Sequence, residues 1–269
     1  MENSKRYIGV FDSGIGGLTV VKSIVETMPD ENILYFGDTA HVPYGTRSKE
    51  QITEYVLNDV KFLSRFDLKA IVIACNTADA IARDKVTELY KMPVFGVVDP
   101  ASKEAAYSTK NGRIGVIATN ATVNSKAYNK AISKYNADAE VMSVACPLLV
   151  PLVENGRFKK DDIVINTVLH EYLAPLKEAQ VDTLVLGCTH YPLLFDVISS
   201  MMPGVNIISS SVAAANALKN GLEELGIFGD GACGERKYYV SDNAEYFEKT
   251  ALVFMGDNLG GSVSHVELD

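Results

Sequence analysis

Residues 71–77, IVIACNT, and residues 184–190, LVLGCTH, decide how this chain is read. Each is a run of bulky apolar residues that stops at a cysteine and then turns polar. Apolarity at every position, rather than at alternate ones, is what a strand needs when both faces of its sheet are covered. After the first run comes NTADAIARDKVTELY, so the chain passes from a buried strand through a polar turn into a helix. A free cysteine is most often plain core filling. Two cysteines at the same place in two matching strands need another explanation.

Around these runs the same alternation continues. YIGVF leads to GLTVVKSIVETM, NILYFGD to SKEQITEYVLNDVKFLSRF, and PVFGVV follows the helix after Cys75. This is the βαβ rhythm of a parallel sheet with helices on both faces. After Asp99-Pro100 it restarts with GRIGVIATN, ATVNSKAYNKAISKY, AEVMSVACP and DIVINTVLHEYLAPLKEA, and it ends after the second cysteine run at VNIISSS. The restart echoes the first half in order. IGVFDS (8–13) matches IGVIAT (114–119), VP at 42–43 returns at 150–151, and Cys75 matches Cys188. Ordered self-similarity of this kind predicts two similar lobes. Beyond Ser211 a helix, the strand KYYVSD and a last helix, NAEYFEKTALVFMG, are too short for a third lobe and are expected to return to the first. The predicted fold is α/β. Residues 1–98 with 208–269 form one lobe and 99–207 the other, each a mainly parallel sheet flanked by helices, with a cleft between them.

The 269 residues, 47% apolar and 22% charged, are those of an ordinary globular chain. A net charge of −9 without a basic block argues against nucleic-acid or anionic-membrane binding. No apolar run approaches the roughly eighteen residues of a membrane helix, and MENSKRYIGVF holds too short a run for a signal peptide. The expected compartment is the cytoplasm, where thiols stay reduced. Cys75, Cys146, Cys188 and Cys233 lie far apart with no CxxC pair, a poor pattern for zinc or for a thioredoxin-like centre.

In open parallel sheets, ligands bind beyond the carboxyl ends of the strands. Cys75, Cys188, Asp12-Ser13 and the loop GDTAHVPYG all stand at such ends. If the lobes face each other, the two thiols approach one cleft from opposite sides, as the halves of an acid–base pair. FDSGIGGLTVV (11–21) is not a dinucleotide fingerprint, because Thr19 stands where the last glycine should be, and it lacks a Walker lysine. It remains either a tight strand-to-helix turn or a helix N-terminus that presents N–H groups to a carboxylate. A neighbouring base raises a thiol's thiolate share. His190 could serve Cys188 in this way, with Glu154 of VPLVENG behind it, and Asp12 could act on the other side. The alternatives are an N-capping aspartate and a structural histidine. Asn76-Thr77, Thr189 and Tyr44-Gly45 offer amide, hydroxyl and backbone donors. Cys146 and Cys233 are taken as structural.

At these residues the chain resembles the glutamate racemases of the cofactor-independent aspartate/glutamate racemase superfamily. The motifs GVFDSGIGGLTV, YFGDTAHVPYG, IVIACNTA, GVIAT, VLGCTHYPLL and SSSVAAA carry the resemblance in this order. It implies interconversion of L- and D-glutamate with no pyridoxal phosphate and no metal, and a D-isomer that feeds peptidoglycan synthesis. It further implies Cys75 and Cys188 as catalytic thiols, acting on the D- and L-isomer respectively. Asp12, His190 and Glu154 would assist, with Asp38 as an additional candidate. Asp12, Ser13, Pro43, Tyr44, Gly45, Asn76, Thr77, Thr119 and Thr189 would hold the substrate. A homodimer is a common assembly in the resembling family. Inverting a stereocentre by moving a proton independently requires a base on one face and an acid on the other. Closure of two lobes about a hinge near residues 98 and 208 would exclude water from the carbanion. Rival readings are a related racemase acting on aspartate or a hydantoin, a non-catalytic two-lobed binding protein, and a thiol redox enzyme.

Overall fold

The computed structural model describes residues 6–229, 234–256 and 259–268. Among the described residues the chain forms ten strands: β1 (Tyr7–Asp12), β2 (Ile33–Gly37), β3 (Leu68–Ile73), β4 (Val94–Gly96), β5 (Arg113–Ala118), β6 (Glu140–Ala145), β7 (Thr183–Gly187), β8 (Asn206–Ser209), β9 (Arg236–Val240) and β10 (Ser262–His265). The helices are α1 (Leu18–Thr27), α2 (Lys49–Leu63), α3 (Asn76–Leu89), α4 (Val98–Ser108), α5 (Asn120–Ser125), α6 (Ala127–Tyr135), α7 (Leu149–Glu154), α8 (Ile163–Glu178), α9 (Phe195–Met201), α10 (Ser210–Glu224) and α11 (Ala244–Met255).

The strands form two sheets, ordered β10-β9-β2-β1-β3-β4 and β6-β5-β7-β8, and every pairing is parallel. The order β2-β1-β3-β4 in the first sheet recurs as β6-β5-β7-β8 in the second, the structural counterpart of the sequence repeat. β1, β3 and β7 are apolar along nearly their whole length because helices cover both faces. Helix starts follow local chemistry: the Ser48 hydroxyl accepts from Gln51 N at α2, and the Asp162 carboxylate accepts from Val164 N and Ile165 N at α8.

The C-terminal segment returns to the first sheet through β9, which pairs with β2, and adds β10 outside it. β10 was not expected. Its residues, SVSH, are short, polar and mostly exposed, so they lack the apolar run that marks a covered strand. Residues 120–135 form two helices rather than one, because Lys126 sits in the left-handed region with φ 55°. Residues 149–154 form α7, an element the alternation read from sequence did not include. α4 also went unforeseen, although Asp99 and Pro100 in its first turn are ordinary helix-start signals.

α4 enters the second sheet's unit, and its start is clasped from the first. Asp79 on α3 is buried, and its Oδ2 accepts from Val97 N (2.9 Å) and Val98 N (2.7 Å). Burial pushes the Asp79 carboxyl up to about 6, against the pull of Arg83 and these two N–H groups. Gly96 passes so close that a Cβ there would overlap the Asp79 carboxyl. Replacing Gly96 with alanine therefore breaks the clasp or displaces the strand. Gly96→Ala is expected to lose about 2–3 kcal/mol of unfolding free energy, read from the urea midpoint. An unchanged midpoint would mean that Asp79 swings aside freely and clasps nothing.

Candidate active site

A cavity of about 230 Å³ opens where the carboxyl ends of the two sheets meet. Ser13 enters it after β1, Cys75 after β3, Thr119 after β5, Cys146 after β6 and Cys188 after β7. Its volume lies below the roughly 300–1,000 Å³ of sites for drug-sized ligands, in the range of a small metabolite. Cys75 and Cys188 thus share one cavity, each contributed by the equivalent strand of its own sheet.

On the Cys75 side, the cysteine is the extended residue that starts α3. Its Sγ lies 3.6 Å from Ser13 Oγ. Burial pushes the thiol up to about 12, Asp12 adds to this, and the Ala78 N–H and the Ser13 hydroxyl oppose it. Cys75 is accordingly a neutral thiol at physiological pH. The first N–H groups of α3 point at the same end, a setting that favours negative charge.

On the Cys188 side, Sγ lies 3.9 Å from His190 Nδ1, and His190 Nε2 lies 2.9 Å from Glu154 Oε1. Burial alone would lower the imidazole, but Cys188 and Glu154 outweigh it and push His190 up to about 10. The ring is therefore an imidazolium at neutral pH, with its charge beside the Cys188 sulfur. Phe254 of α11 packs edge-on to the ring at 5.6 Å. Equivalent positions in the repeat thus carry unlike electrostatics.

Ser13, Pro43, Tyr44, Gly45, Asn76, Thr77, Thr119, Glu154, Thr189 and His190 join the two cysteines around the cavity. Asp12 does not line it. It is wholly buried one layer behind, where Oδ2 accepts from Gly14 N (3.0 Å) and Oδ1 from Thr189 Oγ1 (3.4 Å). Burial raises the Asp12 carboxyl while His190 lowers it. The Asn76 amide is also committed, since Oδ1 accepts from Tyr128 OH (2.5 Å) and Nδ2 donates to Ser210 Oγ (3.3 Å). Thr77 Oγ1 and Thr119 Oγ1 meet across the cleft at 2.9 Å. Asp38 is buried behind Tyr44, whose hydroxyl lies 2.6 Å from Asp38 Oδ2.

The glycine-rich turn serves packing. Its glycines do not line the cavity, and a Cβ at Gly16 would overlap the Thr189 and His190 side chains. Thr19, in the place of the missing fingerprint glycine, sets its Oγ1 2.9 Å from the Thr189 carbonyl and 2.9 Å from Ser211 Oγ. Cys146, expected to be only structural, reaches the cavity wall, where burial pushes its thiol up to about 12. Cys233 lies outside the described residues. Val42, Thr46, Asn120, Pro147, Val150 and Pro151 also line the cavity and were missed. The second VP pair was the available signal, because the first, Val42-Pro43, also lines the cavity.

Residues 8–218 match the model of the Asp/Glu/Hydantoin racemase family. A glutamate racemase of Geobacter metallireducens is 45% identical over 256 residues, 94% of each chain. The solved glutamate racemase isoform of Bacillus anthracis superposes with a TM-score of 0.95 at 39% identity, over 98% of both chains. That of Francisella tularensis, in complex with D-glutamate, gives 0.92 at 38% identity over 99% of both. The chain belongs to the Asp/Glu/Hydantoin racemase family, among its glutamate racemases.

Proposed function

We propose that this chain interconverts L- and D-glutamate by passing the α-proton between two thiols on opposite faces of the α-carbon. The observation that carries this reading is the single cavity shared by Cys75 and Cys188, with a neutral thiol on one side and a sulfur–imidazolium pair on the other. An L-isomer bound with its α-hydrogen toward Cys188 gives that proton to the Cys188 thiolate. Cys75 then donates its own proton to the opposite face, and the D-isomer forms. One proton is taken and one is returned, so the product differs from the substrate only in configuration. The sulfurs exchange protonation states, and the reverse reaction starts from the Cys75 thiolate.

The anionic intermediate needs stabilising hydrogen bonds and a dry site. The start of α3 and the hydroxyl of Ser13 stand where they can supply them. Among the described residues lining the cavity there is no lysine or arginine. The substrate carboxylates are therefore assigned to neutral donors, including the backbone of Tyr44-Gly45 and Asn76-Thr77. Asp12 and Glu154 act at one remove, Asp12 through Thr189 and the field on Cys75, Glu154 through His190. The lobe division is taken at residues 98 and 208, with Asp79 clasping the first of these crossings, and closure pivots there. The D-isomer is assigned to peptidoglycan synthesis in the cytoplasm, a compartment that suits the free thiols at Cys75, Cys146 and Cys188.

Incubation with L-glutamate in D₂O without added cofactor is expected to abolish the circular dichroism of the substrate while NMR records α-deuterium in the product. L-Aspartate treated alike should change far more slowly. Folded protein that does neither to glutamate would sink the reading. Cys75→Ser and Cys188→Ser should each lower racemisation by about 10²-fold or more. A singly substituted enzyme at near-native rate would rule out the two-thiol mechanism.

Glu154→Gln removes one of the two groups that hold His190 up near 10, so its imidazolium loses its proton at lower pH. The alkaline limb of kcat/KM for L-glutamate should then move down by about one pH unit or more. A limb that stays fixed would separate Glu154 from the charge state of His190.

A further inference from the structure

Outside the cavity, the group that the chemistry above leaves unexplained is Asp59. It sits on the core-facing side of α2 among Ile52, Val56, Val60 and Leu63, and it is fully buried. A carboxyl at such a position needs donors if it is ionised. Its Oδ2 lies 2.9 Å from Tyr44 Oη, and its Oδ1 has no hydrogen-bond partner among the described residues. Tyr44 Oη also lies 2.6 Å from Asp38 Oδ2. A phenol has one hydrogen and cannot donate to both carboxyls. Asp38 is the better acceptor, because it also takes hydrogen bonds from Ser241 Oγ (2.8 Å) and has His41 Nδ1 at 2.8 Å. The contact between Asp59 and Tyr44 then needs a hydrogen of its own, and only a protonated Asp59 can bring it.

We propose that Asp59 is a positioning residue working as a neutral carboxylic acid: its O–H donates to the Tyr44 oxygen, turns the phenol hydrogen toward Asp38 and fixes the Tyr44-Gly45 segment against the cavity. Burial, with Asp38 nearby, pushes the Asp59 carboxyl well above the usual carboxylate range, in the same sense. The segment has little slack. Gly45 lies against Thr119 of the other sheet's unit, and a Cβ there would come within 2.8 Å of Thr119 Cβ. A Tyr44 that loses its anchor therefore shifts the wall that holds the substrate. This rests on Tyr44-Gly45 contacting glutamate, as proposed above.

The test compares Asp59→Asn, whose amide still offers an N–H to Tyr44, with Asp59→Leu, which offers nothing. Asp59→Asn is expected to keep kcat/KM for L-glutamate within about threefold of native, whereas Asp59→Leu raises KM about tenfold or more and changes kcat less. The infrared difference between ligand-free native protein and Asp59→Asn at neutral pH should show the carbonyl band of a protonated carboxyl. A native protein without that band overturns the proposal, as does an Asn variant as impaired as the Leu variant, or a Leu variant with unchanged KM. If Asp59→Leu fails to fold, the band and the Asn variant decide. If native protein leaves glutamate untouched, the functional reading fails, and the band still decides the Asp59 proton.

Discussion

Cys75 and Cys188 reach one cavity from strands of two different sheets, so the separation and facing of those sheets constrain everything else in the molecule. That geometry is held by contacts crossing between the sheets' units close to the cavity itself. Thr77 meets Thr119, Asn76 accepts from Tyr128, and Thr19 on α1 meets the Thr189 carbonyl. At Gly16 the backbone runs against Thr189 and His190 with no room for a side chain. Hydrogen bonds of this kind contribute about 1 kcal/mol each. Together such contacts fix how the two units face each other around the cavity.

The internal repeat supplies the scaffold, and departures from it supply the chemistry. β3 and β7 occupy the same place in matching strand orders and deliver the two cysteines. After Cys75 the chain begins a 14-residue helix, whereas after Cys188 it makes the short turn Tyr191–Leu194 with His190 at its start. In the aligned repeat Thr77 stands where His190 stands in the second unit. One thiol is thus left neutral by burial, and the other is paired with a cation that Glu154 sustains. A chiral substrate with different approaches from its two faces has no need of identical groups on both sides. Among the described residues lining the cavity there is no lysine or arginine, in a chain whose net charge is −9.

The strands and their pairing were legible because burial on both faces writes a continuous apolar run, and the repeat made the two cysteines informative together. The legible part ended where burial stopped dictating residue type. β10 is an exposed edge whose SVSH carries no such run. The break at Lys126 depends on one residue adopting φ 55°, to which no composition signal points. The cavity-lining residues named from sequence stand at strand ends or in the quoted motifs, whereas Pro147, Val150 and Pro151, after β6, carry no such signal apart from the repeated VP pair. α7 brings Val150 and Pro151 to the cavity on a short helix that the alternation read from sequence did not include. Asp12, which the resemblance implied as a substrate contact, lies behind the cavity wall, while its neighbour Ser13 lines it.

The C-terminal return does more than complete a sheet. Ser241, directly after β9, donates to Asp38, and through Asp38 it backs Tyr44 on the Cys75 side. Phe254, on the helix that follows, packs edge-on to His190 on the Cys188 side. One segment therefore supports both walls of the cavity from outside, although it contributes none of the residues that line it. It is anchored in the first sheet through the β9–β2 pairing and α11 packs on α1. A displacement of this segment would consequently reach Tyr44 and His190 together, and both walls of the cavity are mechanically tied to an element remote from them in sequence.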